Sequence, residues 1–262
     1  MKILFFGDIV GKPGREAIKK ILPKWKKKYQ PDIIIANGEN LAHGKGITEK
    51  SLNEVLTVGI DLITSGDHIW DQKSVTELLE DKKIPLIRPA NFPPETPGQG
   101  YRFIELRTKK ILVINLIGRV FMREQYDDPF RTADKILEQE AENADVVIVD
   151  WHAEATSEKV CLGWYLDGRV SAVLGTHTHI PTADARILPQ GTAYISDVGM
   201  VGVRDSSLGV DKKIAIKKFL TQMHLRLEMA EGGPVEVNAI LLKIDKKGKA
   251  DKIEKLQEIV DI

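Results

Sequence analysis

The sequence predicts an α/β fold in which two stacked, mixed sheets are covered by helices. Three observations predict it: short apolar runs alternate with amphipathic stretches in the first half, hairpin signals appear in the second half, and no linker divides the 262 residues. Alternating strands and helices are typical of βαβ units with parallel strands, whereas hairpins pair antiparallel strands. We therefore expect one domain, residues 1–262, that mixes both kinds of pairing.

The first half alternates strand and helix without interruption. Its strands are short apolar runs, and its helices are amphipathic stretches that lie between them. The predicted elements are strand 2–7, helix 15–28, strand 32–36, helix 48–58 with Thr48 as N-cap, strand 61–64 and helix 71–80.

The second half begins with a loop at 91–100 (NFPPETPGQG), which is rich in Pro and Gly. Strands 101–107 and 111–116 flank a Thr-Lys-Lys turn, and strands 236–244 and 252–260 flank a Lys-Lys-Gly turn, so each pair predicts a hairpin. Between the two hairpins, the predicted elements are helix 131–143 and strands 146–149, 170–174, 186–188 and 193–196.

Composition excludes several classes of protein. Hydrophobic residues make up 42% of the chain, which excludes a disordered protein. The 38 basic residues balance the 38 acidic residues, so a nucleic-acid partner is not expected, although a local basic patch leaves that alternative open. No apolar run reaches the ~20 residues that span a bilayer, and the N-terminus lacks the features of a signal peptide. Cys161 is the single cysteine, which fits a cytoplasmic location.

Residues that can bind metals follow five of the predicted strands. The carboxyl ends of strands form the ligand crevice of open α/β sheets, so these residues are expected to converge in space. His177 and His179 are two residues apart and are expected to leave the same face of an extended segment. The five strand-end groups are Asp8; Asn37, Glu39 and Asn40; Asp67 and His68; Asp150 and His152; and His177 and His179.

The ligand types indicate which metals could bind. Carboxylates, amides and imidazoles suit manganese, iron, zinc or magnesium, and the lack of a cysteine pair excludes thiolate zinc fingers and iron–sulfur clusters. Seven or eight ligands are too many for one ion, so we predict two ions about 3.5–4 Å apart that share a carboxylate. Such a pair generates hydroxide at neutral pH and stabilises a phosphoryl transition state.

The segments GDIVGKPGR, NGENLAHGKGIT, GDHIWD, DWHAEAT and GTHTHIPTAD resemble those of the calcineurin-like metallophosphoesterases and, more narrowly, of their YmdB-like bacterial branch. The resemblance extends from Met1 to about Gly209. It implies a four-layer α/β/β/α sandwich. It also implies hydrolysis of a cyclic nucleotide, such as 2',3'-cAMP or 3',5'-cAMP, by attack of a metal-bridging hydroxide.

The resemblance also implies a role for each site residue. His68 is expected to face the substrate, where it stabilises the phosphoryl oxygens or protonates the leaving ribose oxygen, and we expect Asp71 to orient it. The implied metal ligands are Asp8, Asn40 and His179 at the first ion, Glu39 between the ions, His152 and His177 at the second ion, and Asp67.

Three positions depart from the superfamily pattern. Glu39 stands where most members have Asp, and Val10 stands at the His of an Asp-x-His motif. Asp67 stands at the Asn of a Gly-Asn-His motif, where it adds a negative charge. We expect that charge to tighten metal binding and make the pair less electrophilic, or to favour a more highly charged ion such as ferric iron.

Iron or manganese is the expected metal, with zinc or magnesium as alternatives. A small phosphodiester is the expected partner, and a homo-oligomer is compatible with the sequence. Two other functions stay open. One is a metal-dependent phosphomonoesterase that acts on nucleotides, and the other is a regulatory nucleotide- or RNA-binding protein whose site Asp67 weakens.

Overall fold

Two six-stranded mixed sheets pack face to face in the computed structural model, which describes residues 1–262. In chain order, the strands are β1 (Lys2–Phe6), β2 (Ile33–Asn37), β3 (Leu62–Thr64), β4 (Tyr101–Leu106), β5 (Lys109–Ile117), β6 (Val146–His152), β7 (Ala172–Thr176), β8 (Arg186–Ile187), β9 (Ala193–Ile195), β10 (Val201–Val203), β11 (Val235–Ile244) and β12 (Ala250–Val260). The helices are α1 (Gly11–Tyr29), α2 (Glu49–Leu56), α3 (Val75–Glu80), α4 (Pro129–Glu140), α5 (Thr156–Tyr165) and α6 (Lys212–Thr221).

In the first sheet, β1 is an inner strand. It pairs in parallel with β2, which continues in parallel to β3, and antiparallel with β11 on its other edge. β10 pairs with β11 beyond the end of β1, and β12 covers the remaining edge of β11. The carboxyl ends of β1, β2 and β3 therefore lie at the same end of this sheet.

In the second sheet, β5, β6, β7 and β9 run parallel to one another. β4 and β8 pair antiparallel at the two outer edges. Both predicted hairpins are confirmed, because β4 pairs with β5 and β11 pairs with β12.

Three apolar cores separate four layers. Side chains alternate along β1: Leu4 and Phe6 pack under helices α1 and α2, whereas Ile3 and Phe5 pack against the second sheet. A third core lies between the second sheet and helices α4 and α5. The α/β/β/α sandwich is thus confirmed, while the assignment of the chain to one domain stays a prediction. None of the six helices is both long enough and apolar enough to cross a membrane.

The prediction of one helix over 71–80 is wrong. A 3-10 helix spans Asp67–Asp71, and α3 begins only at Val75. Gln72 is extended between them (φ −114°, ψ 120°), and its side chain donates to the carbonyl of Lys45 at 2.9 Å. A contact with a distant loop therefore interrupts the local helical pattern.

Several other boundaries differ from the predictions. α1 begins at Gly11 rather than at residue 15, because Pro13 is compatible with the first helical turn. β6 continues to His152 rather than ending at residue 149, because its last residues still pair with both β5 and β7. α5, α6 and β10 were not predicted. Thr48 is the N-cap of α2, as predicted, in a capping box with Ser51.

Candidate metal centre

All the predicted site residues lie at one end of the sandwich, where the carboxyl ends of strands from both sheets meet. Asp8 follows β1, and Glu39 and Asn40 follow β2, while Asp67 and His68 follow β3 in the 3-10 helix. From the second sheet, His152 ends β6, and His177 and His179 follow β7. The predicted convergence of five strand ends is therefore present in the structure.

One group of possible ligands consists of Glu39, Asp67, His152 and His177, whose ligand atoms all lie within 4.8 Å of one another. His152 Nε2 lies 2.9 Å from Glu39 Oε2 and 3.3 Å from Asp67 Oδ1. His177 Nδ1 lies 3.0 Å from His152 Nε2. Two carboxylates and two imidazoles are a complete tetrahedral ligand set.

A second group consists of Asp8, Glu39 and His179, again with ligand atoms within 4.8 Å of one another. His179 Nε2 lies 4.0 Å from Asp8 Oδ1 and 3.1 Å from Asn40 Oδ1, so the Asn40 amide borders this group. Glu39 belongs to both groups. The arrangement can therefore accommodate two cations that share one carboxylate.

Two observations indicate that these residues fit a cation. Asp8 Oδ1 is fully buried and has no hydrogen-bond partner, which is costly for a carboxylate oxygen unless a cation lies next to it. Gly66 packs directly against Glu39 and His152, and a Cβ at this position would collide with Glu39 Oε2 and His152 Nε2. Glycine thus leaves room for the two ligand side chains to approach each other.

The charges of the site shift the pKa values of its groups. Burial raises the pKa of Asp8 to about 7, although His179 and His152 oppose this shift. Burial would lower the pKa of His152, but the carboxylates of Glu39 and Asp67 raise it well above its usual value. Burial opposes the ionisation of Asp67, yet its hydrogen bond to His152 prevails and lowers the pKa. Without a metal ion, protonated His152 offsets the carboxylates, so a bound cation would replace that proton.

A buried polar network behind His152 was missed from the sequence. His152 Nδ1 lies 2.9 Å from Thr176 Oγ1, and that hydroxyl donates to Asp150 Oδ1 at 2.7 Å. Asn37 donates to Asp150 Oδ2 at 2.9 Å and accepts from the N–H of Glu39 at 3.0 Å. Because the Thr176 hydroxyl proton is committed to Asp150, its oxygen accepts from Nδ1, and the Nε2 of neutral His152 is left free as a ligand. Asn37 and Asp150 were both among the predicted strand-end residues, but their role in orienting His152 through Thr176 was not predicted.

The segment after β7 is a turn rather than the extended run that we expected. His177 has φ 98° and His179 has φ 67°, conformations that are rare for residues other than glycine. The prediction that both side chains leave the same face is therefore wrong, because His177 lies beside His152 and His179 lies beside Asn40. This turn lets two nearby histidines serve two different groups of ligands.

A buried ion pair holds this turn in place. Lys159 Nζ lies 2.6 Å from Asp197 Oδ2 and donates to the carbonyl of Thr176 at 2.7 Å. Asp197 Oδ2 also accepts from the backbone N–H of Thr178 at 3.0 Å and from its hydroxyl at 2.8 Å. Both charged side chains are almost completely buried. They fix Thr178, which lies between the two histidines.

His68 lies beside the ligand group that consists of Glu39, Asp67, His152 and His177. Its backbone N–H lies 3.5 Å from Glu39 Oε2, and its half-buried side chain places Nδ1 3.0 Å from Asp71 Oδ2. The predicted pairing of His68 with Asp71 is therefore present in the structure. It occurs within the 3-10 helix rather than at the start of an α-helix.

Known proteins resemble this chain over almost its whole length. The sequence profile of the YmdB-like protein family matches residues 4–256. A 2',3'-cyclic-nucleotide 2'-phosphodiesterase of Bacillus subtilis (strain 168) is 49% identical over 98% of this chain and 96% of its own length. Matches of this extent include every strand end that contributes a residue to the candidate metal centre.

Two solved structures share the fold. A hypothetical protein from Thermus thermophilus is 43% identical, with a TM-score of 0.93 over 99% of both chains. A protein of Mycoplasma pneumoniae described as a novel phosphatase is 35% identical, with a TM-score of 0.94 over 100% of this chain and 94% of that one. Sequence profile, relatives and folds agree with the resemblance seen in the motifs: the chain belongs to the YmdB-like family of calcineurin-like metallophosphoesterases.

Proposed function

We propose that this chain is a metal-dependent phosphoric diester hydrolase that cleaves the 2',3'-cyclic phosphate of nucleotides. The observation that carries the proposal is the pair of ligand groups joined by Glu39. The name of the Bacillus subtilis relative supports a cyclic phosphodiester as substrate, since the two sequences align over nearly their full lengths. A 3',5'-cyclic nucleotide is the second candidate substrate.

The donor atoms suggest how two ions would be held. When bound, such a pair activates water and neutralises charge on the phosphoryl oxygens. Oxygen and imidazole donors without thiolates favour iron or manganese, with zinc or magnesium as alternatives. Asp8, Asn40 and His179 would hold one ion, Asp67, His152 and His177 would hold the other, and Glu39 would be shared.

His68 would act on the leaving group. The Asp71 carboxylate lies 3.0 Å from Nδ1 of His68 and orients the ring, so Nε2 is the nitrogen that is left to reach the leaving oxygen. In a 2',3'-cyclic phosphate, the leaving group is a ribose oxygen, which departs poorly as an alkoxide. Protonation of that oxygen by His68 would remove the difficulty.

The experiment that tests this role compares leaving groups. We expect His68→Ala to slow hydrolysis of 2',3'-cAMP by about 100-fold or more, because the ribose oxygen needs a proton. Hydrolysis of bis(p-nitrophenyl) phosphate should fall far less, because p-nitrophenolate leaves without one. Each rate is measured with manganese-loaded protein, and 3'-AMP is the expected product from 2',3'-cAMP.

The control is His224→Ala, an exposed histidine outside both ligand groups, which should leave both rates unchanged. Equal losses on both substrates in His68→Ala would remove the acid role. Full activity of a preparation from which a chelator has removed the metal would show that hydrolysis does not require a metal ion.

A phosphomonoesterase is the alternative that a specific observation favours, since the Mycoplasma pneumoniae relative is described as a phosphatase. The same ligand groups would serve that reaction. Release of inorganic phosphate from AMP at a rate above diester cleavage would favour it. Stoichiometric binding of 2',3'-cAMP without product would instead favour the regulatory binding role.

A further inference from the structure

Two of the three histidines in the ligand groups direct Nε2 at the possible ligands and have an uncharged partner at Nδ1. His152 Nδ1 lies 2.9 Å from the hydroxyl oxygen of Thr176, and His179 Nδ1 lies 3.1 Å from the carbonyl of Leu208. A partner at one ring nitrogen decides which nitrogen of a neutral imidazole keeps the proton and which is left as a ligand. The third histidine should have a partner of the same kind.

His177 is arranged the other way round, with Nδ1 directed at the possible ligands. Its Nδ1 lies 3.0 Å from His152 Nε2 and 3.5 Å from Asp67 Oδ1. Its Nε2 lies 3.0 Å from Oε2 of Glu154, a residue that belongs to neither ligand group. The partner of His177 is therefore a carboxylate, whereas the partners of the other two histidines carry no charge.

The ends of β6 and β7 bring Glu154 and His177 together. His152 pairs with Thr176 in the parallel ladder, and the N–H of Ala153 donates to the carbonyl of Thr176 at 3.4 Å. Glu154 is the next residue after Ala153, and His177 is the next residue after Thr176. The backbone of two neighbouring strand ends thus sets the distance between the carboxylate and the ring.

Two carboxylates compete for the ring proton of neutral His177. A proton drawn toward Asp67 would sit on Nδ1, where it would block the lone pair that a cation needs. Glu154 is the nearer of the two, at 3.0 Å against 3.5 Å, and its negative charge favours the proton on Nε2. Glu154 thus favours the tautomer in which Nδ1 is free as a ligand.

We propose that Glu154 is a positioning residue, whose carboxylate keeps the ring proton of His177 on Nε2 and leaves Nδ1 free toward Glu39, Asp67 and His152. This role rests on the metal dependence in the proposed function, but it does not depend on which phosphate ester the protein cleaves. A carboxylate behind a ligand histidine fixes the tautomer and makes the other ring nitrogen more basic.

Two variants at this position test the role. Glu154→Ala removes the carboxylate, whereas Glu154→Gln keeps an oxygen that can accept from Nε2. The Glu154 side chain is 47% exposed, so water can partly replace it, and we expect Glu154→Ala to weaken manganese binding by about tenfold, the lower end of the usual effect. Glu154→Gln should recover most of that affinity. Calorimetric titration of the metal-free proteins measures both changes.

Hydrolysis provides a second comparison. In Glu154→Ala, the rate with 2',3'-cAMP should fall when manganese is limiting and return to the native rate when manganese is saturating. We expect this because Glu154 acts through His177 and does not contact the substrate.

The tautomer itself is measured by ring 15N NMR of the metal-free protein, at about pH 8, where an ordinary imidazole is neutral. The chain has six histidines, and the signals that disappear in His177→Asn identify those of His177. The native protein should carry the proton on Nε2. Glu154→Ala should move part of the population to Nδ1, and Glu154→Gln should move less of it.

Glu105→Ala is the matched control, since it removes a surface glutamate that lies 3.8 Å from Lys110, and it should change none of these measurements. Native manganese affinity in Glu154→Ala would overturn the role, and so would weaker binding with the proton still on Nε2. If Glu154→Gln binds manganese as weakly as Glu154→Ala, the carboxylate acts by its charge and the positioning role fails. If the native protein cleaves no diester, the proposed function fails, yet a shifted tautomer with weaker manganese binding in Glu154→Ala would still support the positioning role.

Discussion

Asp67 stands where the superfamily's Gly-Asn-His motif has Asn, so it adds one negative charge to the site. Its Oδ1 lies 3.3 Å from His152 Nε2 and 3.5 Å from His177 Nδ1. An asparagine would present an oxygen at the same reach without the charge. The position therefore separates the effect of charge from the effect of geometry.

We expect Asp67→Asn to keep the fold and to bind manganese about tenfold or more weakly, with a changed turnover or metal preference, because a ligand loses its charge. Asp134→Asn, which removes a carboxylate from a surface pair with Arg169, is the control. Metal content, circular dichroism and diester hydrolysis are the measurements. Equal metal binding and equal rates in native and Asp67→Asn proteins would show that Asp67 is not a ligand.

Which site residues could be predicted depended on what surrounds them in the chain. Asp8 and His152 come within a few residues of the ends of apolar runs, so their place at strand ends could be predicted locally. Thr176 gave no such signal, since its hydroxyl acquires a role only through its contacts with Asp150 and His152 in the folded sheet.

At the scale of single elements, the turn after β7 is the least regular part of the site and depends most on support from elsewhere. Both of its histidines have positive φ, a conformation that persists only where surrounding contacts impose it. Lys159 comes from α5, and Asp197 follows β9. Two neighbouring elements therefore hold a conformation that the turn would not adopt alone.

Lys159→Met should lower the free energy of unfolding by about 3–5 kcal/mol, because it leaves Asp197 buried without its counter-charge. It should also weaken manganese binding, since both histidines of the turn lose their anchor. Urea denaturation and metal titration measure the two effects. The double variant Lys159→Met with Asp197→Asn should regain stability, because no unpaired charge stays buried. Native manganese affinity in the single variant would show that the turn keeps its shape without the ion pair.

Elements were predictable where the signal was local. The β11–β12 hairpin combined two strands with a glycine turn, and the structure confirms it. The apolar side chains of α6, such as Phe219 and Leu220, are mostly exposed, so its pattern did not indicate a buried helix face. The break at Gln72 came from a contact with a distant loop, which no local pattern contains.

At the scale of the whole molecule, the candidate metal centre connects the two sheets, since Asp8 and Glu39 belong to the first sheet and His152 and His177 to the second. The carboxylates also come close together without an intervening cation. Stability should therefore depend on metal and on pH together.

We expect the metal-free protein to lose stability as pH rises through neutrality. The pKa of Asp8 rises from 3.8 to about 7, and that of His152 rises above 6.5, so the folded chain holds protons that the unfolded chain has released. The lowered pKa of Asp67 acts only below pH 3.8 and does not affect this range. Manganese would replace these protons, so its stabilising effect should grow with pH.

Thermal denaturation with and without manganese, at about pH 6 and about pH 8, measures this effect. The increase in Tm caused by manganese should be larger at the higher pH. An increase of the same size at both values would mean that metal binding displaces no proton from Asp8 or His152.

The inner place of β1 has a consequence for synthesis on the ribosome. Gly7 donates its N–H to the carbonyl of Asn238 at 3.3 Å, and the carbonyl of Asp8 accepts from Val201 at 2.8 Å. A nascent chain therefore carries β1 with one open edge until β11 has left the exit tunnel, and such an edge invites association with other strands. Asp8 reaches its final position only after β10 and β11 have been synthesised, so we expect metal to bind after these strands have paired with β1.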